Sequence, residues 1–208
     1  AQYNARDVVV TSKLVEYYLD KAKNHTSVMP HWENVVKKAT WAISMMEHWG
    51  IPVDKSAVTA LGLFLQNEKT QLENSFKQYG DFNPDSTHDV AKLLFEDLQL
   101  KSRMKTPSGR LSVDRNALAK LAKQHPVVNK LLAWRKLTKM QGTYVEGLLP
   151  FIGKDGRVHP NFLLDGAASG RLSCREPNLQ NIPRADTRLG KMIRSAFVAS
   201  PGKIFVQA

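Results

Sequence analysis

The segment between residues 166 and 197 is the richest part of the chain in planar hydrogen-bond donors. Among those donors are the side chains of Arg171, Asn178, Gln180, Asn181 and Arg194. Glycines and prolines between them restrict the backbone, as in a structured loop. Amide and guanidinium groups can bind phosphates and base edges, and the acceptors of the DNA minor groove are nearly uniform across sequences. The segment is therefore typical of a loop that checks the shape of a duplex without reading its sequence.

A second polar group lies on a helix that the sequence predicts to begin at Pro126, a residue tolerated in a first helical turn. Arg135, Lys139 and Thr143 are spaced at i, i+4 and i+8, which places them in one stripe beside an apolar one. Cations on a helix surface are most often merely solvated.

Charge separates the two halves of the chain. The sequence has 30 Lys and Arg against 19 Asp and Glu, a formal net charge of +11. Residues 1–100 carry net −3 and residues 101–208 carry net +14. The cations are interleaved with Asn, Gln, Ser and Thr, which favours nucleic acid over a membrane surface as the partner. The alternative is a basic, solvated face without a partner.

Composition bounds the class of protein. With 42% hydrophobic and 24% charged residues, the 208-residue chain is a globular protein and not a disordered one. No apolar stretch is long enough for a membrane span, and no signal peptide is visible. The single cysteine, Cys174, and the lack of zinc-type Cys/His spacing indicate a reducing compartment and no structural metal. We expect the cytoplasm of a bacterium or of a virus-infected cell, with an organelle as the alternative, and no chemical role for Cys174.

Helical periodicity dominates as far as Tyr144. The predicted helices cover Val8–Leu19, the apolar stripe between residues 35 and 46, residues 55–78 after an Asp54 N-cap, a short helix after a Ser86 N-cap, a helix from a Ser112 N-cap through Leu121, and the helix from Pro126. Residues 101–110, which hold four cations and no acid, predict an exposed, mobile basic loop.

Strand signals dominate after Pro150. Asp155-Gly156 between β-prone runs predicts a hairpin, and Lys203–Ala208 predicts an apolar strand. The fold class expected is α+β. Because that strand has nothing to terminate it, we expect the chain to be an excerpt of a longer polypeptide or one half of a split protein, with some site residues absent.

Several motifs together resemble family A DNA polymerases. The motifs nearest the predicted loop are Ser169–Ser173, Glu176–Pro183, Ile193–Phe197 and Pro201–Val206. Earlier matches are Glu47–Asp54, Arg135–Lys139, Gly142–Tyr144 and Gly156–His159. The resemblance covers nearly the whole chain and is strongest from residue 135 to 208. One departure is the stretch from Arg184 to Gly190, which is one residue longer than the family pattern.

The resemblance implies roles for the donors of the loop. Arg171 matches an arginine that reaches the primer terminus from the minor-groove side. The positions of Asn178, Gln180 and Asn181 match residues that contact the duplex near the active site. Arg194 matches a position near the template strand, with a structural salt bridge as the alternative.

The stripe on the predicted helix also acquires a role by resemblance. Arg135, Lys139 and Thr143 match positions of the thumb that lie along the primer-template duplex. At the other end of the chain, Tyr3 and Asp7 match the Tyr-x-x-x-Asp motif of proofreading 3′→5′ exonucleases. There the aspartate binds a metal and the tyrosine orients the attacking water.

The implied architecture is part of a right-hand polymerase fold. Residues 1–28 would be the end of a 3′→5′ exonuclease domain, 29–54 a first palm or connecting segment, 55–146 a helical thumb, and 147–208 the start of an antiparallel-sheet palm. The first metal-binding aspartate would follow directly after residue 208.

The implied function is addition of deoxynucleotides to a primer 3′ end, with Mg²⁺ as cofactor and with proofreading. The partners would be primer-template DNA and deoxynucleoside triphosphates, with no membrane. Two-metal phosphoryl transfer needs carboxylates that this family takes from later motifs, and the nucleotide-binding fingers helix also comes later. We therefore expect this piece alone to be catalytically incomplete. The alternative is a non-catalytic DNA-binding protein or a split subunit whose partner chain supplies the rest of the palm and fingers.

Overall fold

The computed structural model describes residues 2–206, with side chains from residue 4 onward. The chain divides into two compact units. One consists of Ala1–Gly50 and His159–Asn181 and is called here the hairpin unit. The other consists of Ile51–Val158 and Ile182–Ala208 and is called the helical unit.

Helices form most of the hairpin unit. Its elements are α1 (Gln2–Lys23), α2 (Val28–His31), a π-helical turn (Trp32–Val36) and α3 (Lys37–Trp49). The predicted helices at Val8–Leu19 and around residues 35–46 are therefore confirmed. Gly50 ends α3 with a φ of 56°, a backbone conformation that favours glycine.

The two strands of the hairpin unit are β3 (Asn161–Leu163) and β4 (Ser173–Arg175). They pair antiparallel, with Phe162 opposite Cys174. Large apolar side chains on the helices remain exposed, including Val8 at 68% and Trp41 at 71%. This unit therefore buries little of its apolar surface.

The longest helix of the helical unit is α4 (Lys55–Phe76). Its N-cap is Asp54, as predicted, whose side chain accepts hydrogen bonds from the backbone N–H groups of Ser56 at 2.8 Å and Ala57 at 3.1 Å. A 3₁₀ turn at Lys77–Tyr79 extends the helix to Gly80. The predicted stripe is buried at Val58, Leu61, Leu65 and Phe76 and half-buried at Leu72.

Three further helices pack with α4. They are α5 (Thr87–Lys92), followed by a π-helical turn at Leu93–Asp97, α6 (Arg115–Leu121) and α7 (Pro126–Gln141). Their fully buried side chains include Val90, Leu94, Leu118, Leu121, Val127, Val128 and Leu131. Ser86 caps α5 by accepting a hydrogen bond from the Asp89 N–H, so that predicted cap is confirmed. One continuous apolar core holds these helices together.

The predicted Ser112 cap is wrong. Asp114 is the N-cap of α6, and its carboxylate accepts the Ala117 N–H at 2.8 Å. Ser112 is buried two residues earlier, where its N–H donates to the Met104 carbonyl at 2.8 Å and its hydroxyl oxygen accepts the Asp114 N–H. The hydrogen bond to Met104 ties Ser112 to the preceding hairpin, and the helix begins later.

The second half of the basic segment of residues 101–110 forms a tight hairpin, most of the segment is exposed as predicted, and its mobility stays a prediction. Lys105 pairs with Leu111, and the Thr106 N–H donates to the Arg110 carbonyl at 2.8 Å. Gly109 closes the turn with a φ of 83°. These contacts hold Lys105 and Arg110 on a structured turn.

Two short strands of the helical unit pair with each other. β2 (Arg157–Val158) pairs antiparallel with β1 (Ile51–Pro52). The predicted Asp155-Gly156 turn is confirmed, since Gly156 has a φ of 73° and the Gly153 N–H donates to the Arg157 carbonyl. Helix α8 (Arg188–Ser195) completes the set of elements.

The predicted strand at Lys203–Ala208 is wrong for residues 203–206, which are exposed and form no strand within the described part of the chain. A strand needs a neighbour to satisfy its backbone groups, and apolar sequence alone does not supply one. Residues 207 and 208 lie outside the described residues.

Helices with small antiparallel sheets confirm the α+β class. Within residues 2–206, no helix is both long enough and apolar enough to cross a membrane. The four-segment division at residues 28, 54 and 146 stays a prediction.

Candidate nucleic-acid interface

The hairpin unit presents Arg171 at the end of the loop between β3 and β4. Arg171 is exposed and lies two residues before β4 begins. Gly170 precedes it with a φ of 72°, which glycine adopts without strain. Gly166 lies so close to β4 that an added Cβ would overlap the Ser173 hydroxyl. The loop is thus folded tightly onto its own strand and directs Arg171 into solvent.

Two side-chain contacts hold the segment that follows β4. The Asn161 amide donates to the Glu176 carboxylate at 2.9 Å and so joins β3 to the segment after β4. The buried Cys174 thiol donates to the Pro177 carbonyl at 3.3 Å. Both contacts are internal to the hairpin, and they fix the start of the next polar segment.

That segment carries the predicted amides Asn178, Gln180 and Asn181, all exposed and partly within a 3₁₀ turn (Leu179–Asn181). The Asn178 side-chain oxygen Oδ1 accepts the Gln180 backbone N–H at 3.0 Å. The Gln180 amide donates to the Leu172 carbonyl at 2.8 Å, next to Arg171. The structure therefore brings Arg171 and these three amides together on one braced hairpin.

The stripe on α7 has a different structure. Arg135 is half-buried, and its guanidinium donates to the Val113 carbonyl, whereas Lys139 is exposed. Thr143 is exposed in a π-helical turn (Gly142–Glu146) that follows α7. Because a π turn holds more residues than an α turn, Thr143 departs from the i+4 register that the sequence predicted.

The environment of Arg135 is electrostatically mixed. Burial lowers the pKa of its guanidinium, and the charges of Asp85 and Asp114 oppose that effect. The carboxylate of Asp85 accepts the Trp134 indole N–H at 2.7 Å. The ammonium of Lys69 lies 4.4 Å from the centre of the Trp134 ring, a cation–π contact. Arg135 thus belongs partly to the packing between α7 and its neighbours.

Arg194 is exposed on α8 and donates through Nε to the Pro183 carbonyl at 2.7 Å. Its partner is a main-chain carbonyl and not the carboxylate of a salt bridge. Gly190 lies against the Arg184 carbonyl, where a side chain would overlap it. The longer stretch from Arg184 to Gly190 is therefore folded back onto the start of α8, whose N-cap is Thr187.

Asp7 is exposed on α1, and the side chain of Tyr3 lies outside the described residues. Among residues 4–206, no three His, Cys, Asp or Glu side chains converge as a metal site would require. The described residues alone therefore do not form a site that fits a metal ion.

Sequence reasoning missed the residues that hold the hairpin. Glu47, Asn161 and Glu176 make its bracing hydrogen bonds. Glu47 and Glu176 stood within the motifs noted above, but nothing in the spacing indicated their partners, which are distant in sequence or across a strand pair.

The model of DNA polymerase family A matches residues 55–208. The chain belongs to this family. That match includes both the stripe on α7 and the hairpin with Arg171.

Individual family A proteins are similar over most of the chain. The thermostable DNA polymerase I of Thermus thermophilus is 35% identical over 202 residues, which cover 95% of this chain and 24% of that protein. DNA polymerase I of Treponema pallidum (strain Nichols) is 35% identical over 209 residues, or 100% of this chain and 21% of that protein. The chain therefore spans about a quarter of the length of the curated relatives it matches.

A solved family A structure is also similar. It is the POL domain of Pol1 from M. smegmatis in complex with DNA primer-template and dNTP. It has a TM-score of 0.71 and 37% sequence identity, and the match covers 77% of this chain and 28% of that one. The two chains are therefore similar in sequence as well as in fold.

Proposed function

We propose that this chain is part of a template-directed DNA polymerase and that it binds primer-template DNA without sequence preference. The observation that carries the proposal is the exposed Arg171 on a braced hairpin, in a chain that belongs to family A. The similar POL domain from M. smegmatis, which was solved with DNA primer-template and dNTP, supports the same partners here.

Arg171 has the chemistry for a minor-groove contact at the primer end. Its guanidinium is planar and permanently charged, and it offers parallel N–H donors. Gln180 and Asn178 are oriented by their own hydrogen bonds, so their remaining polar atoms face solvent in a restricted set of directions. With Asn181, these amides would contact the duplex beside Arg171. Because minor-groove acceptors vary little, such contacts test pairing geometry and not sequence.

Contacts along the duplex are proposed for Arg135, Lys139 and Thr143, and a contact near the template strand for Arg194. Lys139 is the simplest of these, because its ammonium is exposed. Arg135 uses part of its donor set on the Val113 carbonyl, and its other N–H groups can meet a phosphate. These contacts add affinity that falls as salt rises, through counterion release.

For the whole enzyme we propose addition of deoxynucleotides to the primer 3′ end, with Mg²⁺ as the metal and with 3′→5′ proofreading that uses Tyr3 and Asp7. The described residues do not themselves gather a metal-binding set, so no step of the reaction is assigned to them. Their part is to bind and orient the primer terminus. The proposed location is the cytoplasm.

The alternative is a DNA-binding subunit whose second chain supplies the catalytic carboxylates. The gene distinguishes the two: a reading frame that continues past codon 208 into an aspartate motif supports one polypeptide, and a stop codon supports two.

Binding by the 208-residue chain tests the proposal directly. Fluorescence anisotropy with a labelled primer-template should show an affinity that falls linearly with salt on logarithmic axes and is equal for duplexes of scrambled sequence. Arg171→Ala should weaken binding, whereas Arg6→Ala, which removes an exposed arginine of α1, should not. Absence of binding at low salt, or a marked preference for one sequence, would contradict the proposal.

A further inference from the structure

One residue in the last turn of α3 makes hydrogen bonds to the segment that carries Arg171. Glu47 is half-buried there, three residues before the glycine that ends the helix. Both the helix and the hairpin belong to the hairpin unit.

Glu47 accepts two hydrogen bonds from the segment that leads into the hairpin. Its carboxylate oxygen Oε1 accepts the backbone N–H of Phe162, in β3, at 2.6 Å. Its main-chain carbonyl is 2.8 Å from the Nδ1 of His159, which donates in the tautomer that protonates this atom. The carbonyl belongs to the last turn of a helix, where such groups lack a partner within the helix.

Three contacts within the hairpin join its parts into one body. β3 pairs with β4, Asn161 is bonded to Glu176, and Gln180 is bonded to the Leu172 carbonyl beside Arg171. A displacement of β3 therefore moves Arg171 with it. The position of the arginine depends on where β3 is fixed, and the Glu47 carboxylate contacts β3 at its central residue.

We infer that Glu47 is a positioning residue for Arg171: its carboxylate fixes the hairpin of residues 161–181 to α3 and so sets where the guanidinium meets the primer terminus. This inference rests on the proposed function for its consequence in DNA binding, but the anchoring itself is independent of DNA.

Two variants separate anchoring from charge. Glu47→Gln keeps a carbonyl oxygen at the end of a side chain of the same length, so it still accepts the Phe162 N–H. Glu47→Ala removes that acceptor, and both variants lose the charge. A control is Glu33→Ala, which removes an exposed carboxylate of the same unit paired with Lys37.

Amide hydrogen exchange on the 208-residue chain tests the anchoring. Glu47→Ala should speed exchange of the Phe162 amide by about tenfold or more, while Glu47→Gln and Glu33→Ala leave it within about threefold of wild type. Equal exchange in wild type and Glu47→Ala would overturn the inference, whatever happens with DNA.

A double-mutant cycle tests the consequence. Glu47→Ala should weaken primer-template binding about five- to tenfold, and should weaken it little further when Arg171→Ala is already present, because both act through one contact. Losses that multiply in the double variant would overturn the positioning role, since they indicate general destabilisation. If Arg171→Ala alone binds like wild type, the proposed function fails at Arg171, and the exchange rate of the Phe162 amide alone decides whether Glu47 anchors the hairpin.

Discussion

The hairpin of residues 161–181 and the stripe on α7 hold their polar groups in opposite ways. In the hairpin, side chains are used to fix its own backbone, as when Gln180 bonds the Leu172 carbonyl, and Arg171 is left exposed at a defined place. On α7 the helix satisfies its own backbone, so Lys139 extends into solvent with little to orient it. The hairpin is suited to a contact that depends on geometry, and α7 to one that depends on charge.

The largest effect is expected at Arg171 in the complete polymerase. Arg171→Ala should lower the catalytic efficiency of single-turnover incorporation on the order of 10² to 10³, or about 2 to 4 kcal/mol of transition-state stabilisation, by analogy with other single positioned donors. Arg171→Lys should recover only part of the loss, because an ammonium cannot reproduce the planar fork. If the catalytic efficiency of Arg171→Ala stayed within about twofold of wild type, the arginine would contribute only its charge, and the proposed minor-groove contact would be wrong.

Adding a methyl group should lower the free energy of unfolding in the hairpin but not at the end of α7. Gly166→Ala pushes the loop off Ser173 and should lower the free energy of unfolding of the hairpin unit by about 1 to 3 kcal/mol. Gly142→Ala is the matched control near the end of α7, where nothing lies within 4 Å of the added Cβ and the backbone is helical. It should be neutral or stabilise by up to about 1 kcal/mol. Denaturant titrations that rank the two variants in the reverse order would break the comparison.

The two cations of the stripe on α7 should themselves differ. Arg135→Met removes the hydrogen bond to the Val113 carbonyl and should cost about 1 to 2 kcal/mol of stability in urea unfolding. Lys139→Met should leave stability unchanged and lower the slope of log affinity against log salt by about 1, as expected for one lost phosphate contact. A stability loss at Lys139 as large as that at Arg135 would show that exposure does not separate their roles.

The smallest expected effect is on how stability depends on pH in the acid range. Hydrogen bonds lower the pKa of Asp114 from its ordinary value of 3.8, the Ala117 backbone N–H contributing most and the Ser112 hydroxyl next. Its contribution to stability is therefore complete above that ordinary value and is lost as pH falls through the lower folded value. Asp114→Asn should flatten the decline of thermal stability of the helical unit in this acid range. An unchanged pH profile would mean that the cap does not titrate with folding.

Local rules account for the features that were predicted correctly. Asp54 and Ser86 cap helices through N–H groups two or three residues away, and Asp155-Gly156 turns within one hairpin. The cap of α6 was misassigned because Ser112 is a good capping residue by type. Only its pairing with the Met104 carbonyl removes it from that role.

For this protein the sequence by itself determined the amphipathic helices, most of their ends, the basic second half and the polar loop that contains Arg171. Each of these depends on residue type and on neighbours within a few positions. Tertiary structure alone decided that the Glu47 carboxylate meets the Phe162 N–H and that Arg135 turns to the Val113 carbonyl. A hydrogen bond across a hundred residues forms only where packing brings a donor and an acceptor within about 3 Å, and no spacing along the chain encodes that approach.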